Sequence, residues 1–160
     1  TEVTNVSISQ TDDYTYEAKN NTTVTLTKPL KANVWNAICL PFSMTEQQVR
    51  SAFGEDTRIA EFKKVEESGT KDVASFGMHY YQLITAGKPC LIKPSQVSEI
   101  YTIEGVTIDA EKALTVTDSN KKFDFVGTYT STTMPTNSHF LGSNDGKLYY
   151  ITAESILQAS

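Results

Sequence analysis

The sequence predicts a mostly β domain, a two-sheet antiparallel sandwich or a partly closed barrel, with one short helix near residues 45–53. Three observations predict it. Short runs alternating apolar and polar residues recur along the chain, turn-forming residues separate them at close intervals, and helical periodicity occurs in one place only. Many short strands with a single helix bury a core best as sheets packed face to face. A chain of 160 residues holds one proper hydrophobic core and is short for two.

Taken in order, residues 1–23 carry DD, NN and TT doublets and predict a loose arm or an edge strand, with the domain proper over 24–160. Thr22 to Thr27 alternates Thr with Val24 and Leu26. The run Val34-Trp35-Asn36-Ala37-Ile38-Cys39-Leu40-Pro41-Phe42 holds the only tryptophan and one of the two cysteines. Ile38 to Phe42, and Cys90-Leu91-Ile92 between Pro89 and Pro94, are apolar on both faces, the pattern of strands covered on both sides. The expected centre of the core is therefore Trp35, Ile38, Leu40, Phe42, Leu91 and Ile92.

The helix is specified by three agreeing signals in SMTEQQVRSAFG. Val49, Ala52 and Phe53 share one face, Ser43-x-x-Glu46 and Thr45-x-x-Gln48 both have capping-box spacing, and Gly54 stands at the C-terminal cap. Beyond it, Thr57 to Val65, Val73 to Ile84, Tyr101 to Ile108 and Phe123 to Thr130 read as strands. Turns are expected at Glu67-Ser68-Gly69, Ala86-Gly87-Lys88-Pro89, Asp118-Ser119-Asn120 and Ser143-Asn144-Asp145-Gly146. The last joins His139-Phe140-Leu141 to Leu148-Tyr149-Tyr150-Ile151, the plainest hairpin signal in the chain.

Composition narrows the partners. The net charge is −5, and the basic residues are scattered, with Lys63-Lys64 and Lys121-Lys122 as single pairs, which argues against nucleic acid. No run approaches the length of a membrane-spanning helix, and no signal-like segment opens the chain. The start TEVTNVSISQ, without Met, reads as a mature or excised segment.

At this point several segments carry a resemblance: W-N-A-I-C-L-P-F-S-M-T at 35–45, Q-V-R-S-A-F-G at 48–54, I-T-A-G-K-P-C-L-I-K-P at 84–94, F-V-G-T-Y at 125–129 and F-L-G-S at 140–143. In this order they resemble a module that recurs in secreted and surface-exposed proteins of Bacteroidetes, over most of residues 24–151. The I-x-A-G-x-P-x-L-I-K-P element is the most specific part. The resemblance implies an exported, mostly β, non-catalytic module, outside the cell or on its surface, accompanying other domains of a longer chain. It supplies no catalytic residues. Cys90 stands where the family usually has Tyr, and the chain stops at Ser160, before the last strand such modules often carry, which raises the question of truncation there.

The chemistry-bearing residues were weighed in turn. Cys39 and Cys90 lie in apolar runs, the setting of inert thiols, and neither sits in sequence beside His79 or His139. The two Cys and two His lack zinc-ligand spacing, so no metal or other cofactor is expected. A Cys39–Cys90 disulfide is open, requiring neighbouring strands and strict geometry. A hydrolase, the third reading, would need two carboxylates across a cleft, and none of Glu61, Glu66, Glu67, Glu99, Glu104, Asp109 and Glu111 is marked out. Asp118 and Asp145 suit turns better than calcium loops. The glycosylation-type matches at Asn5, Asn20 and Asn21 carry little weight in the bacterial setting that the resemblance implies. Tyrosine remains. In Tyr80-Tyr81 and Tyr149-Tyr150 one ring of each pair faces away from a one-sided core, where it suits a surface glycan or a protein partner, although cross-strand packing alone also explains it. The sequence thus supports an accessory or adhesive module first and a glycan-binding module using these tyrosines second.

Overall fold

In the structure, a computed structural model, residues 2–9, 15–69, 71–78, 82–129, 132–134, 136, 138–141, 148–150 and 155–157 are described. Their elements run β1 (Thr4–Ser9), β2 (Lys19–Thr27), β3 (Asn36–Ile38), α1 (Glu46–Phe53), β4 (Arg58–Ser68), β5 (Lys71–Met78), β6 (Cys90–Lys93), β7 (Ile100–Ile108), β8 (Thr115–Thr117), β9 (Asp124–Val126), β10 (Thr132–Met134), β11 (His139–Leu141), β12 (Leu148–Tyr150) and β13 (Ser155–Leu157). The described residues are mostly β with one short helix, and none of their sheets closes into a barrel, consistent with a β sandwich. The main sheets are three-stranded, in the order β1-β2-β7, and four-stranded, in the order β3-β6-β4-β5.

The first sheet buries one face by strict alternation. Val24 and Leu26 of β2 are 0% and 2% exposed, and their neighbours in β7 are Ile103 and Tyr101. Alternation continued from Tyr101 would turn Val106 and Ile108 outward, yet both are buried. The phase is reset by a bulge. Between the pairs Val24↔Ile103 and Thr22↔Val106, β7 carries one residue more than β2, and Gly105 there takes φ +69°. Between Thr22↔Val106 and Lys19↔Ile108 the extra residue is on β2, where Asn21 takes φ +46°. Asn tolerates that conformation better than most side chains. The two irregularities cancel in register while keeping Tyr101, Ile103, Val106 and Ile108 inside. β1 pairs with β2 in parallel, a departure from the all-antiparallel expectation.

The helix forms where its caps demand. Thr45 Oγ1 accepts the Gln48 N–H at 3.2 Å and Gln48 Oε1 accepts the Thr45 N–H at 2.9 Å, so the second of the two capping-box spacings is the one used. Gly54, at φ +103°, donates its N–H to Arg50 O and ends the helix. Val49 and Phe53 are fully buried, with the Phe53 ring 4.8 Å from Tyr101 of β7. Gln48 Nε2 also donates to Glu104 O at 2.7 Å, which ties the helix to the bulged strand.

In the second sheet, Asn36, Ile92 and Ile59 form one rung facing the core, and Ala37, Leu91, Ala60 and Met78 form the next, facing away. That register corrects part of the expected core. Ile38, Leu40, Phe42 and Ile92 belong to the main cluster, but Trp35 is only partly buried and lies outside it. The reason is period two: Trp35 shares the outward side with Ala37, while Asn36 and Ile38 turn inward. Leu91 is buried at 6% exposure, on that same outward side. There, Phe62, Phe76 and Phe125 form a separate aromatic cluster with ring centroids 5.4 to 6.0 Å apart, joining the β4–β5 hairpin to β9. Of the expected strand to Ile84, β5 is described to Met78, residues 79–81 lie outside the described residues, and Ile84 forms a bridge to Met44. The expected hairpin is present, with β11 antiparallel to β12; its turn, residues 143–146, lies outside the described residues.

Two substitutions test this packing. Phe42→Ala, at a fully buried site, should cost about 3–5 kcal/mol, whereas Trp35→Ala should cost less than about 2 kcal/mol; equal losses in urea denaturation would return Trp35 to the core. Gly105→Ala should cost about 1–2 kcal/mol from backbone strain alone, because its φ is +69° and a Cβ there meets no atom within 4 Å. An unchanged midpoint would mean that the bulge does not depend on glycine.

Candidate functional site

Four stretches of backbone meet at Gly87. Its N–H donates to Leu40 O at 2.7 Å, its carbonyl accepts the Leu114 N–H at 2.7 Å, and Leu114 O accepts the Gly127 N–H at 3.0 Å. Lys88 N–H closes a turn onto Thr85 O, with Gly87 at φ +75° in the third position, where a positive φ is needed. Cys39 Sγ donates to Gly87 O at 3.3 Å, and a Cβ on Gly127 would lie 2.7 Å from that sulfur. The WNAICLPF, ITAGKPCLIKP and FVGTY stretches therefore converge on one packed junction.

The junction has the composition of a nucleophile's pocket but not its electrostatics. Burial pushes the Cys39 thiol up to about 12, against the opposing pull of Lys28 and the Thr128 backbone N–H. Burial likewise pushes Cys90 up to about 12, with Cys39 and Glu61 adding to it. Both cysteines are buried free thiols. Register explains why they do not pair: Cys90 is the partner of Ile38 and shares its face, and Cys39, the next residue, turns to the other. A thiol held in this form is neither a nucleophile nor a metal ligand at neutral pH. Lys28, 5% exposed, is lowered to about 8 by burial, with Cys39 partly offsetting the shift.

Asn36 is spent on structure as well. Its Oδ1 accepts the Lys31 N–H at 3.1 Å, and its Nδ2 donates to Lys31 O at 3.0 Å and Val34 O at 2.8 Å, folding the loop ahead of β3. Asp118 closes the β8–β9 hairpin. Its carboxylate accepts N–H groups from Lys122 at 2.7 Å, Phe123 at 2.9 Å, Asn120 at 3.2 Å and Val65 at 3.5 Å. Burial opposes its ionisation, but these four donors outweigh burial and hold the carboxyl below its usual range. Asp118 is thus a turn-former, as its sequence setting suggested; Asp145 lies outside the described residues.

The other carboxylates singled out are ion-paired or exposed. Glu61 pairs with Lys88 at 3.1 Å and Lys63 at 3.6 Å, while Glu99, Glu104, Asp109 and Glu111 are exposed. Glu66 and Glu67 line an open cleft of about 440 Å³ with Val65, Asn120 and Lys122. They are consecutive residues of β4, on opposite faces, and are paired with Lys64 and Lys122 respectively. Among the described residues, no three metal-type side chains cluster. His139 is exposed on β11, and His79 lies outside the described residues.

Of the four tyrosines singled out, Tyr80 and Tyr81 lie outside the described residues. Tyr149 and Tyr150 belong to β12, where Tyr149 is the backbone partner of Phe140 and Tyr150 of His139. Sequence reasoning missed the outward position of Trp35, which the parity of Asn36 and Ile38 could have supplied.

Lys28 yields a pH test. Its pKa is about 8 in the folded chain and near 10.5 in the unfolded one, so between those values the unfolded chain holds a proton that the folded chain has released, and stability rises with pH. Below the window the buried charge costs about 3 kcal/mol. Lys28→Met should be more stable than the wild type at pH 7 in urea denaturation, and the gap should shrink by pH 10. A gap that does not change with pH would contradict this.

No family model, curated protein or solved structure matches this chain.

Proposed function

We propose that the chain is a non-catalytic accessory or adhesive module of a larger exported cell-surface protein, acting by contact rather than by chemistry. One observation carries the reading. Three buried groups that could do chemistry are committed to the fold: the Cys39 and Cys90 thiols are raised to about 12, and the Asp118 carboxylate is filled by four backbone donors. The resemblance of the 35–54, 84–94 and 125–129 stretches to modules of surface proteins supports the setting, and the mostly β architecture suits it. Other domains of the longer chain, and a surface protein or glycan, are the expected partners.

A second reading, glycan binding by tyrosine rings, is favoured by the β11–β12 register. It makes Tyr149 the backbone partner of Phe140 and Tyr150 that of His139, which places both tyrosines on one strand of this hairpin. Tyr80 and Tyr81 complete the set proposed from sequence.

Deleting residues 24–160 from the longer chain should reduce attachment of the cells carrying it to glycan- or protein-coated surfaces, with any enzymatic activity of its neighbours intact. Unchanged attachment would sink the adhesive role. On a glycan array, Tyr149→Ala or Tyr150→Ala should lower binding if the second reading holds, and binding untouched by either substitution would dispose of it.

A further inference from the structure

The outward side of the four-stranded sheet carries an arrangement that the core does not need. Lys93 of β6 lies directly opposite Arg58 of β4, and Trp35, one residue ahead of β3, continues the β3–β6 register toward Lys93. An aromatic ring and two cations are thereby set side by side across three strands on one face. Like charges placed directly opposite destabilise a sheet, and among the described residues neither cation of this pair has a carboxylate partner. Lys19, Arg50, Lys63, Lys64, Lys88 and Lys122 each have a carboxylate partner. Arg58 instead donates to the backbone carbonyls of Asp56 at 3.1 Å and Thr57 at 3.3 Å, and neither it nor Lys93 forms an ion pair among the described residues. Arg58 is exposed, and Trp35 and Lys93 are partly so. The adjoining rung on this side has Leu91 at 6% and Ala60 at 2% exposure, so the three residues stand on packed backbone.

We propose that Trp35, Lys93 and Arg58 form a contact site for an acidic glycan, the indole stacking on a sugar ring and the two cations taking carboxylate or sulfate oxygens. The indole offers the flat apolar face that a pyranose presents in return, and guanidinium and ammonium groups are the natural donors to anionic oxygens. In a chain of net charge −5, a facing Lys–Arg pair with no ion pair among the described residues is a local patch of positive charge, selecting acidic over neutral saccharides by charge complementarity. The proposal rests on the reading of the chain as a contact module and names the ligand class for it.

Trp35 is the only tryptophan, so its emission reports the site directly. Hyaluronan, as the carboxylated probe, and heparin, as the sulfated one, are titrated into the intact chain, with dextran as the neutral control and poly-glutamate as a non-sugar polyanion. The expected result is an emission shift with at least one acidic glycan, absent with dextran and weaker at high salt. In an Arg58→Gln, Lys93→Gln double variant with an unchanged unfolding midpoint, affinity should fall by about tenfold or more. No shift with either acidic glycan overturns the proposal, as does poly-glutamate binding as tightly as the glycans. Acidic-glycan binding that the double variant retains also removes this site, while leaving the contact-module reading intact; loss of cell attachment without glycan binding separates the two in the other direction.

Discussion

The backbone relay through Gly87 is the constraint on which the rest of the structure depends. One peptide unit donates to Leu40 and accepts from Leu114, and Leu114 in turn accepts from Gly127, so four segments far apart in sequence are fixed by three hydrogen bonds. These segments do not form one regular ladder, and a buried irregular backbone is tolerable only when its polar groups are paired in this way. The relay requires glycine twice. At Gly87 the turn needs a positive φ, and at Gly127 a side chain would run into Cys39 Sγ and the Leu114 carbonyl. Cys39 is small enough to fill the remaining space, which gives the thiol a packing role at the junction.

From that junction the two faces of the four-stranded sheet acquire different characters. The inward rungs, with Ile38, Ile59, Cys90 and Ile92, join the main core beneath β2, β7 and the helix. The outward side is closed by Leu91 and Ala60, and further along by the Phe62, Phe76 and Phe125 cluster. At the β3 end it is not closed, and Trp35 remains partly exposed beside two cations. Lys28 shows the opposite economy: a cation held inside the fold, at a stability cost that falls as pH rises.

Local signals were legible in the sequence wherever they were redundant. The helix was readable because Thr45, Gln48 and Gly54 mark its ends while Val49 and Phe53 mark its face. The Asp118 turn was readable because an Asx side chain satisfies its own neighbours. Long-range facts were not legible. Alternation in Tyr101 to Ile108 ran as expected only up to Gly105, since a bulge depends on the partner strand as well as on its own residues. The parallel placement of β1 depends on which edge is left vacant. Trp35 was misplaced because an apolar run tells that both faces are covered without telling how completely, and one residue of register decides on which side an indole lies. The two pairs of tyrosines were visible as pairs, but only the β11–β12 register divides Tyr149 from Tyr150.

The most direct test of this account is the coupling between Gly127 and Cys39, measured by urea denaturation of Gly127→Ala, Cys39→Ala and the double variant. A Cβ at Gly127 would stand 2.7 Å from Cys39 Sγ and 3.0 Å from the Leu114 carbonyl, so the single variant should lose about 2–3 kcal/mol. Removing the sulfur should return part of that loss, giving an interaction energy of about 1 kcal/mol or more in the cycle. A Gly127→Ala variant within about 0.5 kcal/mol of the wild type, or strictly additive effects, would contradict the claim that the Gly87 junction organises the fold.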